Sequence, residues 1–382
     1  MKCLELFTGA GGLAMGIGRA GFSHAALVEF NHDACETMRF NKSLVGSPLN
    51  KWKIIESDVR AIENFGDRFK NVTMVAGGPP CQPFSVGGKA AGSADPRDMF
   101  PEAVRAVRQL QPKAFIFENV KGLLREKFST YFEYVILQMT YPSVTRDPKE
   151  SVADHLARLE RLHTFGTEPE YRVVWQLLNA ANYGVPQKRE RVFIVGFKAD
   201  IHVAWNFPKA THSKAALNQA KKSGDYFEKH GVSLRLRSGK YQLPLPFSEE
   251  QVIAASLKPW RTVRDAIGDL PDPEKNADRE FNHLVVSGAR SYPGHTGSPI
   301  DEPAKTLKAG DHGVPGGENM IRFQDGRVRY FTLREAARLQ TFPDTYKFNG
   351  SWTESMRQLG NAVPVKLGEV VASSVRAALV RS

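Results

Sequence analysis

A single thiol, Cys81, sits in the run Gly77-Gly78-Pro79-Pro80-Cys81-Gln82-Pro83-Phe84-Ser85, where two glycines and three prolines stiffen the chain around it. The apolar residues 72–76 just before it have the makings of a buried strand. The thiol is therefore expected on a rigid loop at a strand's end, where catalytic groups concentrate. A thiolate held this way can attack an electrophilic carbon, and only the ionised form does so. Two other stretches carry groups for acid–base and charge-stabilising work. Glu118, in Glu118-Asn119-Val120, follows the apolar residues 114–117 directly. The run Gln187-Lys188-Arg189-Glu190-Arg191 leads into the apolar residues 192–195. Alternation along a strand places Gln187, Arg189 and Arg191 on one face and leaves Lys188 and Glu190 as surface charge.

A second constellation suits an adenosine-containing cofactor. Phe7-Thr8-Gly9-Ala10-Gly11-Gly12 follows the apolar residues 4–7 and opens a helical pattern. Glycines there let backbone N–H groups at a helix N-terminus approach a ligand closely. Alone, such a turn is common to many nucleotide sites. Glu29 lies about twenty residues on, where an acidic side chain in a parallel sheet bonds ribose hydroxyls. Beside it Phe30 can stack on an adenine ring. Asp58, with Val59, ends a further short strand and can accept from an adenine amino group.

These residues need a scaffold that brings strand ends to one rim. Short apolar runs at 4–7, 24–28, 72–76, 114–117, 172–175 and 192–196 alternate with helical spacing at 13–20, 32–40 and 101–110. That alternation predicts an α/β fold with a mostly parallel sheet covered on both faces. Residues 151–163 read as an amphipathic helix with Val152, Leu156, Leu159 and His163 on one face. From 208 to about 326 the chain turns rich in Gly, Pro, Ser and basic residues and reads as a second, irregular domain. Capping boxes mark helix starts at Thr262 and Thr332, and residues 363–380 read as a C-terminal helix.

Together the motifs resemble the DNA cytosine-5 methyltransferase family, prokaryotic restriction-modification type, over essentially the whole chain and in the family's order. Phe7–Gly12 is similar to the first cofactor motif, Gly77–Ser85 to the Pro-Cys-Gln motif, and 118–120 and 187–191 to the Glu-Asn-Val and Gln-x-Arg-x-Arg motifs. Residues 332–343 resemble the Arg-Glu-x-x-Arg-x-Gln-x-Phe-Pro block, and Gln358-Leu359-Gly360-Asn361-Ala362-Val363-Pro364 the last motif. Asp98 departs from the pattern, standing where many members carry Gly or Asn. The resemblance implies a Rossmann-like S-adenosylmethionine-dependent methyltransferase sheet with a smaller target-recognition domain. Residues 1–205, completed by 346–382, would form the catalytic and cofactor-binding domain, and 206–345 the recognition domain and hinge. It implies Cys81, Glu118, Arg189 and Arg191 as catalytic residues, no metal, and S-adenosyl-L-methionine bound by Phe7, Gly9, Gly11, Gly12, Glu29, Phe30, Asp58, Val59, Pro80, Asn361 and Ala362. Its substrate would be double-stranded DNA, bound by a monomer, with a cognate restriction endonuclease acting separately.

Composition agrees. The net charge is +11, and residues 209–240 hold eight basic side chains against two acidic ones, which suits a polyanion. Arg235, Arg237, Arg290 and Arg322 are base-contact candidates by residue type. Three scattered cysteines exclude a disulfide framework or zinc ribbon. No signal-peptide core or membrane-length apolar run occurs, so a cytoplasmic enzyme is expected, with no room before the first motif for a regulatory region. A tRNA cytosine methyltransferase would share this catalytic kit. A nicotinamide-dependent oxidoreductase would leave Pro80-Cys81-Gln82 and the Gly360-Asn361 block unexplained, and a DNA-binding protein without catalysis would not need the full set of Cys, Glu and Arg.

Overall fold

The computed structural model describes residues 1–80, 98–232, 256–310 and 319–381. Its centre is a seven-stranded sheet of β1 (Lys2–Leu6), β2 (Ser23–Glu29), β3 (Ile54–Glu56), β4 (Met74–Gly77), β5 (Ala114–Val120), β6 (Tyr171–Asn179) and β7 (Glu190–Lys198), in the order β3-β2-β1-β4-β5-β7-β6. The first five run parallel, so their carboxyl ends share one rim. β7 runs antiparallel to both neighbours, pairing Val120 with Arg191 and so bringing its own amino end to that rim. The sheet is mostly parallel as expected. The reversal arises because β6 and β7 are joined by the loop 180–189, with one 3-10 turn at Ala180–Tyr183, instead of a crossover α-helix.

Alternate strand residues feed two cores. On one face Leu4, Leu6, Val75, Phe115 and Phe117 meet Phe65 of α3 (Phe65–Arg68), Val104 of α4 (Phe100–Leu110) and Val135 of α5 (Ser129–Thr140). On the other, Cys3, Met74, Ala76, Ile116 and Val195 meet Leu13 and Ile17 of α1 (Gly12–Arg19) and the residues Leu367, Val371 and Val375. Between strands, α2 (His32–Ser43) starts with Asn31 accepting from the Ala34 amide. An insertion, α6 (Val152–Thr164), packs Leu156 and Leu159 on Tyr134 and Tyr141 of the preceding segment. Its most buried histidine is His155, bonded to the Tyr134 hydroxyl at 2.8 Å, while His163 bonds Tyr141 at 3.1 Å from the flank.

The second region is built of short pieces, as its composition predicts. They are β8 (His212–Ser213), α7 (Lys214–Ser223), α8 (Asp225–Lys229), β9 (Lys258–Pro259), α9 (Val263–Ile267), β10 (Ser298–Pro299), β11 (Met320–Arg322) and β12 (Val328–Tyr330). Then come α10 (Leu333–Leu339), α11 (Trp352–Asn361) and α12 (Val365–Arg381). Both capping boxes form, at Thr262 and at Thr332. α7 escapes the sequence reading because its large apolar residues are few, with alanine and lysine filling most of it, and α8 because it is only five residues long; Ser213 caps the first by accepting from Ala216 N.

Two contacts bind the chain's distant parts. A continuous core joins Ala14, Met38 and Trp52 to Val263, Phe331, Leu339, Phe342 and Leu359, and Tyr346 Oη donates to Ala10 O at 2.7 Å. α12 packs on α1 backbone to backbone: a Cβ at Gly16 would lie 2.6 Å from Glu369 N and 2.7 Å from Val365 O. Only glycine permits that approach.

Candidate active site

The rim formed by the strand ends opens into a cavity of about 880 Å³. Its lining includes Phe7, Gly9, Glu29, Phe30, Asp58, Val59, Pro80, Glu118, Arg191, Asn361 and Ala362. Residues more than 300 positions apart in sequence thus converge, Gly9 and Asn361 among them.

At one end the acids are ordered by nearby backbone. Each oxygen of Glu29 accepts one amide, from Gly9 N at 2.6 Å and Asn31 N at 2.7 Å. Each oxygen keeps a second lone pair free for a hydroxyl. Phe7 holds φ +56°, a turn that a non-glycine residue rarely adopts, and starts the loop that brings Gly9 to Glu29. Phe30 is 73% exposed, an apolar ring open to a stacking partner. Asp58 is held by Arg60, whose Nη2 lies 2.6 Å from Oδ2, and this pairing keeps its carboxyl below the usual range. A ribose, an adenine face and an adenine edge would find complementary partners here. The residues fit the adenosine half of S-adenosylmethionine.

At the other end two opposite charges face each other across neighbouring strands. Glu118 on β5 and Arg191 on β7 form an ion pair, Oε1 to Nε 2.8 Å, with both side chains about nine-tenths buried. Burial pushes the Glu118 carboxyl up, and Arg191 and then Arg189 oppose that rise. Asn119 beside it donates to Pro79 O at 2.9 Å, anchoring the turn before Cys81 to β5. Met99 N bonds Pro80 O at 3.2 Å. Cys81 and residues 95–97 lie outside the described residues, as do Arg235 and Arg237. Among the remaining basic candidates, Arg290 and Arg322 are exposed and none lines the cavity.

Three expected site residues do not line the cavity. Gly11, at φ +81°, gives room to Trp52, whose ring would come 3.0 Å from a Cβ there. Gly12 lies against Val363 O, which a Cβ would meet at 2.4 Å. Arg189 is fully buried and acts as a strap: Nη1 donates to Leu307 O at 3.0 Å, and Nη2 to Gly360 O at 2.6 Å and Ala362 O at 2.9 Å. It lies just before β7, which carries Arg191, and the turn there aims it at the 307 and 360–362 segments.

Other lining residues went unnoticed in the sequence. Glu354 and Arg357 of α11 reach the cavity beside Gln358 of the last motif, and so does Glu5 of β1. Glu5 was masked by its apolar neighbours. The α11 residues could have been found by following the Asn361 motif one helical turn back. A His32–Glu36–Glu56 cluster lies near this end, but Arg39 already contacts Glu36 at 2.7 Å and Glu56 at 2.6 Å.

The sheet order and the convergence of acids at its parallel ends define an S-adenosylmethionine-dependent methyltransferase. The chain belongs to the C-5 cytosine-specific DNA methylase family, whose model matches residues 1–141 and 150–377. It is a DNA cytosine-5 methyltransferase using S-adenosyl-L-methionine. Among its relatives, the Type II methyltransferase M.NgoMIV of Neisseria gonorrhoeae is 31% identical, covering 98% of this chain and 97% of its own. M.FnuDI of Fusobacterium nucleatum is 30% identical, at 99% and 95%. Two solved structures share the fold. A prophage-encoded E. coli protein described as a DNA modification methyltransferase has TM-score 0.60 and 21% identity, covering 99% of both chains. The S. pombe Dnmt2 methyltransferase has TM-score 0.57 and 16% identity, covering 100% and 98%. Among the described residues no helix is long and apolar enough to cross a membrane.

Proposed function

We propose that the enzyme methylates C5 of one cytosine within a short, specific double-stranded DNA sequence, through a flipped base and a covalent adduct with Cys81. The carrying observation is the buried Glu118–Arg191 pair, in one cavity with Glu29, Phe30 and Pro80, the residue that precedes Cys81 in sequence. Cytosine C5 is a weak nucleophile. Addition of the Cys81 thiolate to C6 moves the C5–C6 electron pair toward C5, and the ring becomes an enamine. Burial favours the protonated form of Glu118, which can donate to cytosine N3 and offset the charge growing on the ring. Arg191 holds that carboxyl in place, and its remaining N–H groups can donate to cytosine O2. Bound S-adenosylmethionine supplies an electrophilic methyl group to C5. Loss of the C5 proton then restores the double bond and expels Cys81 as thiolate.

Attack at C6 needs the ring face, so the base must leave the helix at a cost of about a few kcal/mol, as in base-flipping enzymes generally. Contacts from residues 206–345, serving as recognition domain and hinge, would offset that cost, with phosphate contacts for position and base-edge contacts for sequence. Residues 1–205 with 346–382 would form the catalytic domain. The names of the Type II relatives suggest a restriction-modification role, with the enzyme acting as a monomer beside a separate endonuclease of the same specificity.

Tritiated S-adenosylmethionine with unmethylated genomic DNA, followed by bisulfite mapping, tests this. Label at C5 within one short motif, absent with Cys81→Ala, is the expected result. Transfer to RNA and not DNA would reverse the substrate assignment.

A further inference from the structure

Glu29 and Glu5 both line the cofactor side of the cavity but differ in how they are satisfied. Glu29 accepts two backbone amides. Glu5 is fully buried, and among the described residues neither of its carboxylate oxygens has a partner in hydrogen-bonding geometry. The cation nearest it is potential only: His24 Nε2 lies 3.7 Å from Glu5 Oε2, with both side chains almost wholly buried. That is too long for a hydrogen bond and short enough for strong electrostatic coupling. The indole of Trp52 closes over the His24 ring edge-on, centroids 5.9 Å apart, and the same indole packs on Gly11 of the cofactor loop.

A buried, unsatisfied anion is costly unless a cation meets it. We propose that Glu5 and His24 share one proton in the free enzyme, and that binding of the positively charged cofactor expels it, leaving Glu5 ionised to face the new charge. This rests on the cavity being the S-adenosylmethionine site. The proton goes to solvent, and the cofactor's sulfonium and ammonium replace it as the balancing charge. Among the described residues, other groups facing the pair are few. Cys3 stands beside Glu5 on β1, its thiol pushed up by burial and so neutral. Burial, and after it the negative charge of Glu29 on β2, raises the Glu5 carboxyl, while His24 opposes this. Trp52 contributes no charge. Cofactor affinity therefore increases with pH while the pair is losing its proton.

Calorimetric titration of the full-length enzyme with S-adenosylmethionine, in two buffers of different ionisation enthalpy at about pH 6.5, reads the proton directly. At that pH the ligand's own ammonium, with a pKa near 7.7–8.0, stays mostly protonated. The expected result is release of up to one proton per cofactor, abolished in Glu5→Gln and sharply reduced in His24→Asn, with unchanged near-ultraviolet dichroism certifying their folds. Heats independent of buffer in the wild-type enzyme would overturn the proposal, and so would undiminished release from His24→Asn. Absence of any cofactor binding would instead overturn the reading of the cavity, and this inference with it.

Discussion

The two ends of the cavity hold their charges by opposite means. At the adenosine end, Glu29 is fixed by amides two and twenty residues away, and Asp58 by its near neighbour Arg60. At the base end, Glu118 and Arg191 neutralise each other across two strands that meet only through antiparallel pairing. The first arrangement is local and stays wet, so its charges are screened and ready for a ligand's hydroxyls. The second is dry, so each charge depends on the other and responds strongly to what enters. Binding and chemistry are thereby separated along one cavity.

The largest effect expected to break that separation is at the dry end. Glu118→Gln should slow methyl transfer by roughly 10²–10⁴-fold, the usual range for a positioned acid or base. Binding of S-adenosylhomocysteine, followed by calorimetry, should not change. If affinity falls with rate, the two ends are not independent. Arg189→Ala strips three buried carbonyls of their donor and should destabilise the fold by on the order of 3 kcal/mol, read from urea unfolding. At the wet end Glu29→Gln weakens charge-assisted bonds worth about 1.5–3 kcal/mol, so S-adenosylhomocysteine should bind roughly 10- to 100-fold less tightly. The rate at saturating cofactor should survive. Phe30→Ala should cost about 1 kcal/mol, roughly fivefold in affinity, because the ring offers only an open stacking face.

The smallest effect is on stability against pH. Burial raises the Glu118 carboxyl above its ordinary 4.5, so folding favours its protonated form. Its contribution is complete below that ordinary value and is lost as pH rises through the folded value. Glu118→Gln cannot ionise, and urea midpoints measured from about pH 4.5 upward should show a flatter profile in that variant.

The same contrast decides what the sequence discloses. The Gly-rich turn, Glu29 and Phe30 are legible because their geometry depends on short-range spacing after a strand. Both capping boxes were legible for that reason too. The sheet's parallel part follows from alternation, but the reversal of β7 depends on a loop whose Gly184 and Pro186 mark a turn without saying which way the next strand runs. Period-two alternation puts Arg189 and Arg191 on one face; it cannot say that the first would be drawn to carbonyls at 307, 360 and 362, more than a hundred residues away. Glu5 was illegible because one acid inside an apolar strand reads as an edge, and only tertiary packing shows it enclosed.

The backbone contact between α1 and α12 also bears on how the chain is made. α1 emerges from the ribosome within the first twenty residues, yet the helix that covers Leu13 and Ile17 spans Val365–Arg381. At a synthesis rate of about 5–20 residues per second, the cofactor loop's supporting helix waits some tens of seconds with that face uncovered. Pairing across so long a separation also slows folding itself. Nascent chains are thus unable to assemble a complete cofactor pocket, and loss of the final helix would strip cover from the first.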